Sequence, residues 1–168
     1  MEYCSCKPYP KIEVERENIE YAKILLEDYA GENGEDTAIH TYFYQSLVVE
    51  EEKEILEGIS KVEMHHLEIL GKLIYQLGYL PSFYTVDSNI ECVIPWTSKN
   101  VNYATNLSTI LLDNIAREMK AIKTYQKHIQ EINDPYIKKI LERIIEDEEV
   151  HIHCFEQIYH NHFGKICE

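Results

Sequence analysis

The sequence has no apolar run long enough to form a transmembrane helix. Its first residues, Met1-Glu2-Tyr3-Cys4, lack the basic start and apolar stretch of a signal peptide. We therefore expect a cytoplasmic protein with no membrane partner. Basic residues are scarce, because 16 Lys and Arg stand against 30 Asp and Glu and leave a net charge of −14. This charge argues against nucleic-acid binding and would favour the approach of cations.

Cysteine pairs of the Cys-x-x-Cys type are absent from the whole sequence, which excludes an attached four-cysteine iron centre. Five cysteines are present, and we expect them to be reduced in the cytoplasm. Cys4 and Cys6 are interpreted as plain thiols in a flexible tail, with a redox or metal-transfer role as the alternative. The length of 168 residues predicts one domain with a sizeable core.

The sequence does contain a long internal repeat built on acidic residues and histidines. The octet Glu-Asp-Thr-Ala-Ile-His-Thr-Tyr begins at Glu35 and returns at Glu118 as Glu-Met-Lys-Ala-Ile-Lys-Thr-Tyr, 83 residues later. A Glu-x-x-His motif at residues 63–66 returns at residues 148–151, 85 residues later. The near-equal offsets indicate two related helical hairpins, each with one single Glu and one Glu-x-x-His pair. A four-helix bundle uses this set to hold two metal ions in its core.

The hydrophobic periodicity and the helix breakers predict an all-α, ferritin-like four-helix bundle over 17–168, preceded by an extended arm over 1–16. The predicted helices cover 18–49 (loosened at 31–34), 51–77, 103–132 and 135–162. The stretch 78–102 has no helical period and is too long for a tight turn. It predicts a crossover connection that makes the third helix parallel to the second.

The repeated carboxylates fall on the apolar faces of the predicted helices, where an unpaired charge would cost several kcal/mol. Two divalent cations would neutralise four ionised Glu and leave two neutral His. One Glu-x-x-His motif would mean little in so acidic a chain, but two copies in repeat register indicate a dimetal site. The alternative is a bundle descended from such a protein that has lost its metal. The candidate ligands are Glu35, Glu63, His66, Glu118, Glu148 and His151.

These motifs resemble the ferritin-like superfamily of dimetal-carboxylate proteins over roughly residues 18–163. The run from Leu25 to Gln45, the pair Arg117-Glu118 and the segment Pro95-Trp96-Thr97 are similar to manganese catalases. The segment from Asp134 to Phe155, with Glu146-Asp147-Glu148-x-x-His151, is more similar to rubrerythrins and bacterioferritins.

The resemblance implies that Glu35 and Glu118 are single-Glu ligands, that Glu63 and Glu148 bridge or chelate, and that each histidine caps one metal. Rubrerythrins carry a further carboxylate where this chain has Ala121, which puts their redox-linked ligand switch in doubt. In manganese catalases the fourth-helix Glu pairs with the Arg beside the third-helix Glu. Glu148 would then pair with Arg117 instead of binding metal, and this alternative stays open.

Several side chains are candidates for hydrogen bonds to the ligands. Tyr42 and Tyr125 lie two helical turns after Glu35 and Glu118, so each hydroxyl could reach a ligand carboxylate across the bundle, and an ordinary core position is the alternative. Asp147 could accept the ring N–H of His66, whereas the matching residue before Glu63 is Val62. We therefore expect the two metals to be inequivalent. The full set of candidate outer groups is Tyr42, Tyr125, Asp147, Arg117 and Asn114.

A redox role at the metal pair is the preferred function, with removal of hydrogen peroxide as peroxidase or catalase-like dismutation. Two divalent transition-metal ions are expected, iron first and manganese as the alternative. The expected partners are H₂O₂ or O₂, an unidentified electron donor and further copies of the chain in a homo-oligomer. The alternatives are ferritin-like iron oxidation and storage, or a structural coat or partner-binding protein that keeps a metal pair.

Overall fold

The computed structural model describes residues 3–87 and 92–164. The helices are α1 (Ile19–Ala30), α2 (Glu35–Val48), α3 (Lys53–Gln76), α4 (Leu107–Glu131) and α5 (Pro135–Phe163). Two strands, β1 (Tyr84–Asp87) and β2 (Cys92–Pro95), pair antiparallel with Tyr84 opposite Pro95. Single 3₁₀ turns cover Glu50–Glu52 and Ser98–Asn100. The all-α prediction is confirmed, and the first predicted helix is divided into α1 and α2.

Side-chain caps fix where three of the helices begin. Asn18 accepts hydrogen bonds from backbone N–H groups in the first turn of α1, and Asn106 does the same for α4. Asp134 caps α5, whose first residue is Pro135. The third predicted helix therefore begins at Leu107 instead of about residue 103.

Gly34 separates α1 from α2 and is required there for steric reasons. A Cβ atom at this position would lie 2.5 Å from the backbone oxygen of Asp28 and 2.8 Å from that of Glu27. Neither backbone oxygen can rotate away, so a larger residue would push the two helices apart. The close approach lets α2 begin directly at Glu35, which is buried.

The direction of the helices follows from the contacts between them. The tight connections α2–α3 and α4–α5 make each pair an antiparallel hairpin. Tyr125 contacts Glu35 while Tyr42 contacts Glu118, so α2 and α4 also run antiparallel. It follows that α3 and α4 are parallel, as the sequence predicted for a bundle with a long crossover. The crossover carries the β1–β2 hairpin, which the sequence did not predict.

Two apolar clusters fill the bundle, and the candidate ligands lie between them along α3, α4 and α5. On α3, Leu56 and Ile59 belong to one cluster and Ile69 and Leu70 to the other. On α5 the order is reversed, with Ile144 before Glu148 and Phe155 after His151. The carboxylates thus form a polar layer enclosed by apolar side chains. In the part of the chain that the structure describes, no helix combines the length and the apolar character needed to cross a membrane.

The N-terminal arm, residues 3–17, forms neither helix nor strand but packs along the bundle. Tyr9, Ile12 and Val14 contact one apolar cluster, and Tyr3 contacts the other. Cys4 is half-buried and Cys6 is exposed. The expectation of a flexible tail was therefore wrong for this segment, because its aromatic and aliphatic side chains have apolar surface to cover.

Candidate metal centre

Six buried side chains from four helices converge at the middle of the bundle. Two overlapping groups each bring four ligand atoms within 4.8 Å of one another. Glu63 and Glu148 belong to both groups, whereas each single Glu and each His belongs to one. The first group is Glu35, Glu63, His66 and Glu148, and the second is Glu63, Glu118, Glu148 and His151.

Both histidines direct Nδ1 towards the carboxylates. Nδ1 of His66 lies 2.9 Å from Glu63, 3.3 Å from Glu148 and 3.6 Å from Glu35. Nδ1 of His151 lies 2.9 Å from Glu148, 3.2 Å from Glu63 and 3.7 Å from Glu118. The two sets of distances are nearly interchangeable, so the sequence repeat is reproduced as a local two-fold arrangement.

One carboxylate oxygen at the centre has no hydrogen-bond partner within the described residues. Oε1 of Glu63 is fully buried, and although Nδ1 of His151 lies 3.2 Å away, that nitrogen is better placed for Glu148 at 2.9 Å. A single N–H directed at Glu148 leaves the Glu63 oxygen unsatisfied, which is costly in an apolar interior. An oxygen of this kind, beside two imidazole nitrogens and three more carboxylates, fits a divalent cation.

Protonation at the centre is strongly perturbed. Burial and the neighbouring Glu63 raise the pKa of Glu35 well above the usual carboxyl range, and burial and Glu148 do the same for Glu118. Burial would lower the pKa of His66 and of His151, but the carboxylates around them outweigh it and raise both. Burial would also raise the pKa of Glu63, but the two histidines lower it instead. Protons thus hold part of the charge that metal ions would neutralise.

Tyr42 and Tyr125 both reach ligand candidates across the bundle, as the sequence predicted. The Tyr42 hydroxyl donates to Glu118 and the Tyr125 hydroxyl donates to Glu35. Both side chains are buried, and burial raises the pKa of each hydroxyl well above its ordinary value. Each tyrosine is therefore a neutral donor that fixes one single-Glu carboxylate.

The outer nitrogens of the two histidines are also paired. Nε2 of His66 lies 3.1 Å from Asp147, which confirms the predicted contact, and 3.1 Å from the Tyr9 hydroxyl. Nε2 of His151 lies 3.1 Å from the backbone oxygen of Tyr3. The inference that His151 has no supporting group was therefore wrong. A backbone carbonyl of the arm takes the place that Val62 cannot fill.

Two candidate outer groups lie away from the ligands. Arg117 donates to the backbone oxygens of Glu32 and Asn100, so the alternative in which it pairs with Glu148 is contradicted. Asn114 forms two hydrogen bonds with Gln45, which is not a ligand candidate. Arg117 is turned outward because the backbone of the α1–α2 connection and the crossover offers it carbonyl groups nearby.

A cavity of about 150 Å³ opens beside the centre. Tyr125 lines this cavity and also donates to Glu35, so this one side chain connects the cavity to the candidate ligands. Ala121 and Thr124 line it as well, and the small side chain of Ala121 leaves it open. Its remaining lining residues are polar or acidic: Glu27, Asp28, Glu32 and Asn33.

Comparison with known proteins gives one family and several relatives. The rubrerythrin family model matches residues 8–159. A probable manganese catalase of Clostridium acetobutylicum is 28% identical over 165 residues, covering 88% of this chain and 73% of the relative. Protein CotJC of Bacillus subtilis is 28% identical over 160 residues, covering 85% of this chain and 84% of the relative.

Among solved structures, KatB, a manganese catalase from Anabaena PCC7120, superposes with a TM-score of 0.85 at 28% identity. The alignment covers 100% of this chain and 83% of KatB. The fold of KatB is therefore reproduced over the whole of this chain, while part of KatB has no counterpart in it.

Proposed function

The chain belongs to the rubrerythrin family, and on that premise we propose that it is a dimetal enzyme that removes hydrogen peroxide. The observation that carries the proposal is the pair of overlapping four-residue groups, which share Glu63 and Glu148 at the centre of the bundle. Their symmetry supports two ions held side by side. The manganese catalases among the relatives support peroxide as the substrate.

In the proposed ligand set, Glu35 and His66 hold one ion and Glu118 and His151 hold the other. Glu63 and Glu148 are placed between them as shared ligands. Because Glu63 and Glu148 belong to both groups, they would be the residues that the two ions share. Four ionised carboxylates and two divalent ions give a neutral centre, so metal uptake releases the protons that the metal-free centre holds.

The metal pair would supply the electrons that peroxide cleavage needs, cycling between two oxidation states. The chain's own residues position and enclose this chemistry. Tyr42 and Tyr125 hold the single-Glu carboxylates in one orientation. Phe155, whose ring centre lies 5.5 Å from that of Tyr42, and the apolar clusters above and below exclude bulk water. The cavity lined by Tyr125 ends one side chain away from Glu35.

Manganese is the metal that we propose, although carboxylate and imidazole ligands alone suit iron as well. The two manganese catalases among the relatives support manganese, whereas the sequence put iron first. The electron donor, the homo-oligomeric state and the cytoplasmic location stay predictions.

The test is peroxide turnover by protein loaded with each metal. Wild-type protein containing two manganese ions per chain is expected to consume H₂O₂ and release O₂ without an electron donor. Glu118→Ala should lower this activity by at least 100-fold, because one ion loses a ligand, while its far-ultraviolet circular dichroism stays unchanged.

Glu149→Ala is the matched control, since this glutamate lies on α5 beside Glu148 but is exposed. It should keep full activity. The contrary result would be wild-type protein that carries a full complement of manganese or of iron but consumes peroxide no faster than free metal does, with or without a donor. That result would overturn the enzyme proposal.

Iron storage and a structural role are the competing functions. The structural role would be that of a coat or partner-binding protein with a retained metal pair. Two ions per chain without turnover would favour that role. A large spherical assembly that accumulates many iron atoms per chain would favour storage.

A further inference from the structure

We propose that the N-terminal arm supports the metal centre. In the arm, Tyr9 and the backbone carbonyl of Tyr3 position the two histidines and so determine how long each ion is retained. The inference rests on the proposed metal binding. It assigns a role to residues 3–9, which come from outside the bundle and which the repeat did not indicate.

The first step is the need for an acceptor at each Nε2. A histidine that binds a metal through Nδ1 is neutral and carries its proton on Nε2, and an acceptor there fixes both the tautomer and the ring orientation. For His151 the acceptor is the Tyr3 backbone oxygen at 3.1 Å, since a carbonyl can only accept. For His66 it is Asp147, also at 3.1 Å.

The second step is that the arm also holds Asp147. The Tyr9 hydroxyl donates to one oxygen of Asp147, and the backbone N–H of Ser5 donates to the other at 2.7 Å. Arg143 donates to that second oxygen at 2.5 Å and to the backbone oxygens of Ser5 and Lys7 at 3.0 Å each. The Arg143 guanidinium also lies 4.1 Å from the centre of the Tyr9 ring. The support of His66 therefore depends on the arm being docked.

The third step is the contact at which the Tyr3 ring packs against α3. Gly58 lies five residues before Glu63, and a Cβ atom there would come within 2.1 Å of the Tyr3 ring. Glycine in a helix interior is destabilising relative to alanine, so its presence at this position has a structural reason. Packing of the Tyr3 ring on Gly58 brings the backbone carbonyl of Tyr3 to His151.

The test measures the release of metal from the full-length protein into a chelator, with the occupancy of each ion read from anomalous diffraction after partial release. Tyr9→Phe removes only the hydroxyl and should speed loss of the ion beside His66 by about 10-fold or more. Gly58→Ala should selectively speed loss of the ion beside His151, because the Tyr3 ring is displaced. Lys11→Ala is the arm control, since Lys11 pairs with Glu13 at the surface.

A double-mutant cycle separates this mechanism from a general loss of stability. In a Tyr3→Ala background, Gly58→Ala should have no further effect on release, because no ring remains to be displaced. The proposal would be overturned if Tyr9→Phe and Gly58→Ala released metal at the same rate as Lys11→Ala. It would also be overturned if each variant accelerated the loss of both ions equally. Wild-type protein that never takes up two ions would instead overturn the proposed function.

Discussion

At the scale of single residues, the centre combines strong acceptors with few neutral donors, and Tyr42 and Tyr125 are the donors that reach the single-Glu ligands. Their positions in the two copies of the octet are equivalent, and so are their contacts. The repeat therefore encodes the orientation of the carboxylates as well as their presence.

Removing the hydroxyl group of Tyr42 isolates this contribution. Tyr42→Phe leaves the ring packed on Phe155 but deprives buried Glu118 of its donor. We expect the free energy of unfolding of the metal-free protein to fall by about 1–3 kcal/mol, the cost of an unsatisfied buried group. Denaturant titration measures it.

Tyr44→Phe on the same helix is the control, because its exposed hydroxyl makes only a 3.5 Å contact with the Tyr103 carbonyl. Equal changes in the free energy of unfolding of the two variants would show that the buried hydroxyl of Tyr42 contributes no more to stability than the exposed hydroxyl of Tyr44.

At the scale of elements, a buried ion pair joins α1 to α4 away from the ligands. Nδ1 of His128 lies 2.8 Å from Asp28, and both side chains are buried. Burial opposes protonation of His128, but hydrogen bonds to Asp28 and Glu27 outweigh it and raise its pKa from 6.5 to about 9. Burial also raises the pKa of Asp28, which offsets part of the benefit. The stabilisation by the pair is therefore less than the roughly 3 kcal/mol that the histidine pKa alone would give.

The His128–Asp28 pair should make the free energy of unfolding depend on pH in the alkaline range. Since the folded pKa of His128 exceeds the unfolded value, its contribution is complete below about pH 6.5 and is lost as the pH rises through about 9. The difference in unfolding free energy between wild type and His128→Gln should be largest near pH 6 and shrink towards pH 10. Groups that do not interact with His128 titrate alike in both proteins and cancel in this difference. A difference that stays constant with pH would contradict the assignment.

The elements also show what the sequence could predict and what it could not. The four bundle helices follow from apolar stripes and from breakers such as Asn133-Asp134-Pro135, and the ligands follow from a repeat in register. The β1–β2 hairpin was missed because its strands have four residues each and the side chains of β2 are all exposed, so they carry no alternating pattern.

Contacts made through the backbone were also beyond the sequence. The Tyr3 carbonyl at His151 and the Ser5 N–H at Asp147 do not depend on side-chain identity, so no motif announces them. Gly58 was the one available signal, as an isolated glycine inside a strong helical pattern. Arg117 was misassigned for a related reason, since its partners are the carbonyls of Glu32 and Asn100.

At the scale of the whole molecule, an acidic chain with a net charge of −14 encloses some of its carboxylates in its core, and that arrangement is stable only when protons or cations neutralise them. Metal binding should therefore stabilise the fold, by an amount that grows with the metal concentration. The polar layer lies between two apolar clusters that contain none of the candidate ligands, so the bundle should remain helical after chelation.

The most direct test of the central claim is an anomalous difference map from crystals of the manganese-loaded protein, recorded on both sides of the manganese absorption edge. The account predicts two peaks roughly 3.5–4 Å apart, one beside Glu35 and His66, the other beside Glu118 and His151, with Glu63 and Glu148 between them. A single peak, or a pair of peaks at which Glu148 has turned away and contacts neither ion, would contradict it.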